Sequence, residues 1–133
     1  MDDDIRHVLT SYKTWAVVGC SDSPYRDSNR IAALLKSRGY TVIPVNPEVS
    51  GTIHGEPVLD RLEPGLGIEV VDLFRRSSAV SAHVDEAIAI GAKAVWMQLG
   101  VIDHEAAERA RSAGLRVVMN RCPAIELPRL ERP

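Results

Sequence analysis

Five short apolar runs recur along the chain, at 15–18, 41–45, 69–73, 94–97 and 116–119. None alternates cleanly with polar residues, which is the pattern of strands covered on both faces. Between the runs, apolar positions fall every three or four residues. Ile31, Leu34 and Leu35 make one face of a helix over about 28–38, and Val80, Val84, Ala87 and Ile88 make another over about 79–90. Asp103 is a candidate N-cap for a third helix carrying Ala106, Ala107 and Ala110. Gly39, Gly91 and Gly114 each stand where such a helix must stop, a few residues before the next strand. Ile5, Val8, Leu9 and Tyr12 give a further amphipathic helix over 2–12, with Asp2, Asp3 and Asp4 where negative charge suits a helix N-terminus.

Strand and helix alternating through short connections means parallel strands joined by right-handed crossovers. The fold class is therefore α/β: a Rossmann-like, doubly wound parallel sheet of five strands with helices on both faces. The expected order is 3-2-1-4-5. The organisation is one domain over 1–133, with a packing helix at 1–12 and a core at 14–127. The segment 48–67 mixes glycine and proline with charges, and a short helical piece around 58–62 is all it is expected to hold. In such a sheet ligands bind outside the C-terminal strand ends, where the winding reverses. On the expected order that point lies between strands 1 and 4. The ends carry Gly19-Cys20-Ser21, Val45-Asn46-Pro47, Phe74-Arg75-Arg76, Gln98-Leu99-Gly100 and Asn120-Arg121-Cys122.

Composition narrows the partners. The net charge of −2 over 133 residues implies neither a nucleic acid nor a membrane surface. No apolar run is long enough to span a bilayer, and the N-terminus is acidic where a secretory leader is basic and then apolar. A cytoplasmic protein is expected. Cys20 and Cys122 are the only cysteines, in no CxxC pairing, and the four histidines lie far apart, so no metal site is expected.

The first strand runs into a small-residue loop and then a helix N-terminus, a general arrangement for holding phosphate. A dinucleotide loop needs Gly-x-Gly-x-x-Gly, and here the three positions are Gly19, Ser21 and Pro24. It also needs an acidic residue at the end of strand 2, where this chain reads Val45-Asn46-Pro47. Both features fail together. Ser21, Ser23 and Ser28 nonetheless offer hydroxyl donors, and Arg26 and Arg30 offer charge near the helix start. Ser28 read alone is equally a helix cap.

The runs VVGCSDSPYRDSNRIAALLKSRGYTVIPVNP, IHGEPVLDRL, VVDLFRRSSAV, AVWMQLGV and VVMNRCPAIE, in that order, resemble the small stand-alone coenzyme A-binding proteins. Their fold is similar to the N-terminal domain of the succinyl-CoA synthetase α subunit. The resemblance covers roughly residues 10–127. It implies coenzyme A or an acyl-CoA as ligand. Gly19, Cys20, Ser21, Pro24, Arg26 and Ser28 would stand at the phosphate end. Val45, Asn46, Pro47, Phe74 and Arg75 would line the adenosine side, and Gln98 and Gly100 would border the thiol-bearing arm. An acid at the ribose would repel the 3′-phosphate of CoA, so its absence suits this ligand, and Arg26, Arg30 and Arg75 are the available cations.

A synthetase of the wider family needs a phosphorylatable histidine and a nucleotide-grasp portion, and neither is recognised in these residues. The resemblance implies that His54 belongs to the family's strand-turn segment in a structural role, and His83 and His104 read as solvated positions on amphipathic helices. A binding module without catalysis is therefore expected. An NAD(P)-dependent oxidoreductase and a subunit presenting CoA to a separate synthetase or ligase chain remain the alternatives. Whether the chain assembles with itself or with a protein partner is left open. Cys122, beside Arg121, is the suggestive thiol, Cys20 is expected at the crevice mouth, and strand spacing separates the two too far for a disulfide.

Overall fold

The computed structural model describes residues 2–131. Met1, Arg132 and Pro133, within the expected domain span, lie outside the described residues. Helix α1 (Asp3–Ser11) precedes β1 (Thr14–Val18), and α2 (Asp27–Ser37) leads to β2 (Thr41–Val45). A hairpin of β3 (Thr52–Ile53) and β4 (Glu56–Pro57) lies on the way to β5 (Val70–Leu73). A 3₁₀ turn (Ser77–Ala79) opens into α3 (Val80–Ala89). Then come β6 (Ala94–Met97), α4 (His104–Ser112), β7 (Arg116–Val118) and α5 (Pro123–Glu131).

The five long strands form one parallel sheet in the order β2-β1-β5-β6-β7. Counting only these strands, the order is 2-1-3-4-5 and not the expected 3-2-1-4-5. The doubly wound class holds, and the third strand is the one displaced. Two features of the chain explain it. Pro44 has no N–H to give a second neighbour, so β2 belongs at an edge. Its outer side meets only a single bridge, Val45 to Leu59. Val70–Leu73 is buried at every position and so belongs inside the sheet. The winding consequently reverses between β1 and β5, the switch point of the other common doubly wound order.

Each face of the sheet carries its own core. Ala16, Val18, Val71, Leu73, Val95 and Met97 pack with Val80, Val84 and Ala87 of α3 and Ala106, Ala107 and Ala110 of α4. On the opposite face Trp15, Val17, Val70 and Trp96 pack with Ile5, Val8 and Leu9 of α1, Ile31, Ala32 and Leu35 of α2, and Leu127 of α5. Successive residues of β1 thus point to opposite cores, as the two-residue period of a strand requires. Trp15 and Trp96 are fully buried with ring centroids 5.4 Å apart. Each indole nitrogen donates to a carbonyl 2.9 Å away, of Tyr12 and of Arg121 respectively.

Local chemistry sets the ends. Asp103 caps α4, its carboxylate accepting from Ala106 N at 3.0 Å. The helical piece expected at 58–62 does not form, because Leu59 instead bonds the edge of β2: its N–H donates to Pro44 O and its carbonyl accepts from Asn46 N, both at 2.9 Å. The β3–β4 hairpin turns on His54 and Gly55, both at positive φ (51° and 81°), as a two-residue hairpin of the favoured hand demands. Helix α5 was not anticipated, and Pro128 lies inside it. Pro123 sits at the first helical position, where no N–H is needed.

Candidate functional site

Gly19 leaves β1 with φ +83° and sits against the end of β5. A Cβ built on it would lie 2.4 Å from Phe74 O, so only glycine lets the loop pass this close to its neighbour. Its N–H donates to Val45 O at 2.8 Å, and Phe74 N donates to Val18 O at 2.9 Å. The loop after β1 is thereby pinned between the ends of β2 and β5.

Side chains hold the rest of that loop. Ser28 does not cap α2. It lies inside the first turn and accepts from Ser21 N at 2.9 Å. The Ser21 hydroxyl accepts from Ser23 N at 3.0 Å, Asn29 Nδ2 donates to Ser21 O at 3.0 Å, and Asn46 Nδ2 donates to Cys20 O at 3.0 Å. The His54 ring nitrogen Nε2 donates to Asn29 O at 3.0 Å, which makes His54 a brace of this loop from the hairpin. Helix α2 itself has no side-chain cap. The N–H groups of its first turn are left to whatever approaches, and with them goes the positive end of the helix dipole.

A cavity of about 530 Å³ opens there, lined by Gly19, Ser21, Tyr25, Arg26, Asp27, Ser28, Asn46 and Phe74. A second, of about 540 Å³, adjoins it across Asp27 and Phe74, which line both. Its walls are Ile31, Leu34, Leu99, Val101 and Ala124, with Arg30, Arg75, Gln98 and Cys122. A third, of about 110 Å³, brings Val45 and Pro47 together with Gly19, Arg61, Arg75, His83 and Glu86. The continuous shape is a polar, helix-capped end joined to an apolar trough.

The expected residues divide among these spaces. Gly19, Ser21, Arg26, Ser28, Asn46 and Phe74 meet in the first cavity, Phe74, Arg75 and Gln98 in the second, and Val45, Pro47 and Arg75 in the third. Pro24 is exposed on the outside of the loop. Gly100 lines none of the three cavities, and its N–H donates to the Asn120 side chain at 2.8 Å. Cys20 is not at the crevice mouth: it is fully buried beneath the loop, its thiol 3.9 Å from Ser28 O. The small residues around it fold the chain over the sulfur. Of the three arginines, Arg30 is committed, its guanidinium 2.5 Å from the Asp27 carboxylate. Arg26 and Arg75 make no ion pair among the described residues.

Asp27, Ile31 and Leu34 were not singled out as site residues from sequence. With Arg30, which was, they line one cavity at helical spacing i, i+3, i+4, i+7, and that spacing was the available signal. His83 is half-buried and not solvated, with Nδ1 2.6 Å from Glu86 Oε1 at the small cavity. Asp72 is wholly buried on β5, and neither carboxylate oxygen has a partner. Burial pushes its carboxyl well above the usual range, toward the neutral form. Burial, and after it the charge of Asp72, pushes the Cys20 thiol up to about 11. Neither large cavity is lined by a histidine.

A sequence model of a family described as CoA binding domain matches residues 13–128. Protein YneT of Bacillus subtilis (strain 168), itself described as uncharacterized, is 32% identical over 119 residues, 90% of this chain and 88% of that one. A hypothetical protein from Pyrococcus horikoshii OT3 has a solved structure that superposes with a TM-score of 0.91 at 42% identity, over 98% of this chain and 92% of that one. The fold alone is shared with a dinucleotide-forming acetyl-coenzyme A synthetase from Ca. Korarchaeum cryptofilum, solved with phosphate and ADP. There the TM-score is 0.73 at 23% identity, over 86% of this chain and 27% of that one.

Proposed function

The chain belongs to the CoA binding domain family, and from that premise we propose that it binds coenzyme A or an acyl-CoA at the C-terminal edge of its sheet, without catalysis of its own. The observation that carries this reading is the uncapped N-terminus of α2, with Arg26 beside it, facing a polar cavity that adjoins an apolar trough. Coenzyme A has that same division: a densely anionic nucleotide end, then a long uncharged arm.

The residues fit the ligand part by part. The diphosphate takes the N–H groups at the start of α2, with Arg26 as counter-charge. Gly19 allows the close backbone approach, and the Ser21–Ser28 and Asn46 hydrogen bonds keep the loop in shape before the ligand arrives. Val45, Asn46 and Pro47 bound the nucleoside. Arg26 and Arg75, neither in an ion pair, are the cations for the 3′-phosphate, since Arg30 is held by Asp27. The arm then follows the trough past Ile31, Leu34 and Gln98. Bound CoA supplies a thiol able to carry an acyl group as a thioester.

Non-catalysis rests on what faces that trough. A nucleophile needs a base positioned beside it. Cys122 is the one nucleophilic side chain on the wall, with no histidine there to activate it, and the Asp27 carboxylate is held by Arg30. We assign the protein to the cytoplasm, where CoA ligands are met. Among the described residues no helix is long and apolar enough to cross a membrane.

Isothermal titration calorimetry with CoA, acetyl-CoA and NAD tests the reading. CoA binding in the micromolar range or tighter, with NAD at least about a hundredfold weaker, is expected, a gap of about 2.7 kcal/mol. NAD binding as tightly as CoA would overturn it.

A further inference from the structure

Cys122 differs from Cys20 in every respect that bears on reactivity. It is partly exposed where Cys20 is fully buried. It lines the 540 Å³ trough, where Cys20 lies under a loop. Its carbonyl accepts the N–H of Glu126 at 3.0 Å, which makes it the N-cap residue of α5, at the positive end of that helix dipole.

A second feature of the same wall points to a ligand. Gln98, only 5% exposed, lines the trough, and its Oε1 has no hydrogen-bond partner. A buried carbonyl oxygen without a partner costs about 1–3 kcal/mol, which the N–H of an incoming amide can recover. The arm of CoA carries two amides before it ends in the thiol. An arm amide hydrogen-bonded to Gln98 leaves the thiol to run on within the cavity that Cys122 lines.

We propose that Cys122 captures CoA covalently, as a protein–CoA mixed disulfide formed by thiol–disulfide exchange in the trough. The inference rests on the CoA-binding reading above. The oxidant is a mixed disulfide of CoA with a small cellular thiol, bound through its CoA half. Cys122 gives up its proton to solvent, and its sulfur attacks the CoA sulfur held in the trough. The new Cys122–CoA S–S bond forms as the old S–S bond breaks. The small thiol leaves with the electron pair and takes up a proton. One disulfide is consumed, one is made, and one thiol replaces another. A dithiol reductant reverses the step, so the protein holds CoA under oxidising conditions and releases it on reduction.

The test uses the full chain with the CoA–glutathione mixed disulfide, and separately with glutathione disulfide, followed by intact mass and peptide mapping. One CoA addition, on Cys122 and not on Cys20, is expected at least about tenfold faster than glutathione addition from glutathione disulfide, because binding raises the local concentration of the CoA sulfur. Excess desulfo-CoA, which lacks the thiol, slows it by a similar factor, and dithiothreitol reverses it. Cys122→Ser acquires no adduct. Equal rates with both disulfides, CoA on Cys20, or no slowing by desulfo-CoA would each overturn the inference. Calorimetry with desulfo-CoA separates the two claims. Binding without a Cys122 adduct overturns the capture step alone, and no binding overturns the CoA reading as well.

Discussion

Replacing Gly19 by alanine tests the central contact of the site. The added Cβ would stand 2.4 Å from Phe74 O, where a carbon–oxygen contact rests at about 3.3 Å. The ends of β1 and β5 must therefore part by about 0.9 Å, against the Phe74–Val18 hydrogen bond that joins them and the Gly19–Val45 bond that ties the loop to β2. Two costs add. A β-carbon at φ +83° is disfavoured by about 1–2 kcal/mol. Forcing an atom into a packed contact costs a further ~1–3 kcal/mol. Gly51→Ala is the internal reference, because Gly51 has a similar φ of +86° with nothing within 4 Å of a built Cβ, so it meets only the first cost. Urea denaturation followed by the fluorescence of the buried Trp15–Trp96 pair gives both stabilities. Gly19→Ala should be about 1–3 kcal/mol less stable than Gly51→Ala, and its CoA affinity should fall while that of Gly51→Ala stays within about twofold of the parent. Two variants equal in stability within about 0.5 kcal/mol would refute the close approach as the reason for glycine at this position.

Three other outcomes are expected. Arg26→Ala should weaken CoA binding by about 10- to 100-fold, the scale of a charge-assisted hydrogen bond, and flatten its salt dependence; unchanged calorimetric affinity at two ionic strengths would remove Arg26 from the phosphate site. Asp27→Asn should strengthen CoA binding by about two- to fivefold, since it deletes an exposed negative charge lining both cavities, and a weaker complex would mean that the Asp27–Arg30 pair is needed intact. Asp72→Asn should change the pH dependence of stability. Burial raises the folded carboxyl above its ordinary 3.8, so stability from the neutral form is complete below that value and is lost as pH rises toward the folded one. The variant should gain on the parent from pH 4 to pH 8 in urea melts, and a constant difference across that range would show that Asp72 does not titrate as its burial requires.

The pattern of apolar runs and glycine stops was enough to read five parallel strands and the helices between them, because each signal is local. Gly39, Gly91 and Gly114 all have positive φ just beyond a helix, so punctuation and element agree. Strand order is a non-local property, and the usual dinucleotide-binding order prevailed over evidence present in the chain: Pro44 marks an edge strand and 70–73 an interior one. The β3–β4 hairpin was legible only through the family's strand-turn segment at His54, because His54 occupies a positive-φ position more often held by asparagine or glycine. Of the loop residues picked out by their types, Gly19, Ser21, Arg26 and Ser28 line the polar cavity, and Cys20 and Pro24 do not. The wall formed by Ile31 and Leu34 was not legible, because apolar residues on a helix face read the same whether they meet a core or a trough. Asp72 was passed over inside an apolar strand, and only its unpartnered oxygens set it apart.

The corrected order also explains why the site has two ends. With β5 beside β1, Phe74 and Arg75 emerge next to Gly19, and Phe74 becomes the wall shared by the polar cavity and the trough. In the order 3-2-1-4-5 those residues would stand two strands from Gly19, and Gln98 would be the neighbour of the phosphate loop. Instead β6 is one strand further out, so Gln98 lies beyond Phe74 and lines only the trough. The sequence of strand ends β1, β5, β6 and β7 thus becomes a spatial sequence of Gly19, Phe74, Gln98 and Cys122. That progression, from helix N-terminus and free arginine through an aromatic wall to a buried amide and a thiol, runs in the order in which CoA presents phosphate, arm amides and sulfur. A ligand bound in the opposite sense would set its diphosphate among Ile31, Leu34 and Val101 and leave the α2 N–H groups unmet, which makes that orientation the costlier one.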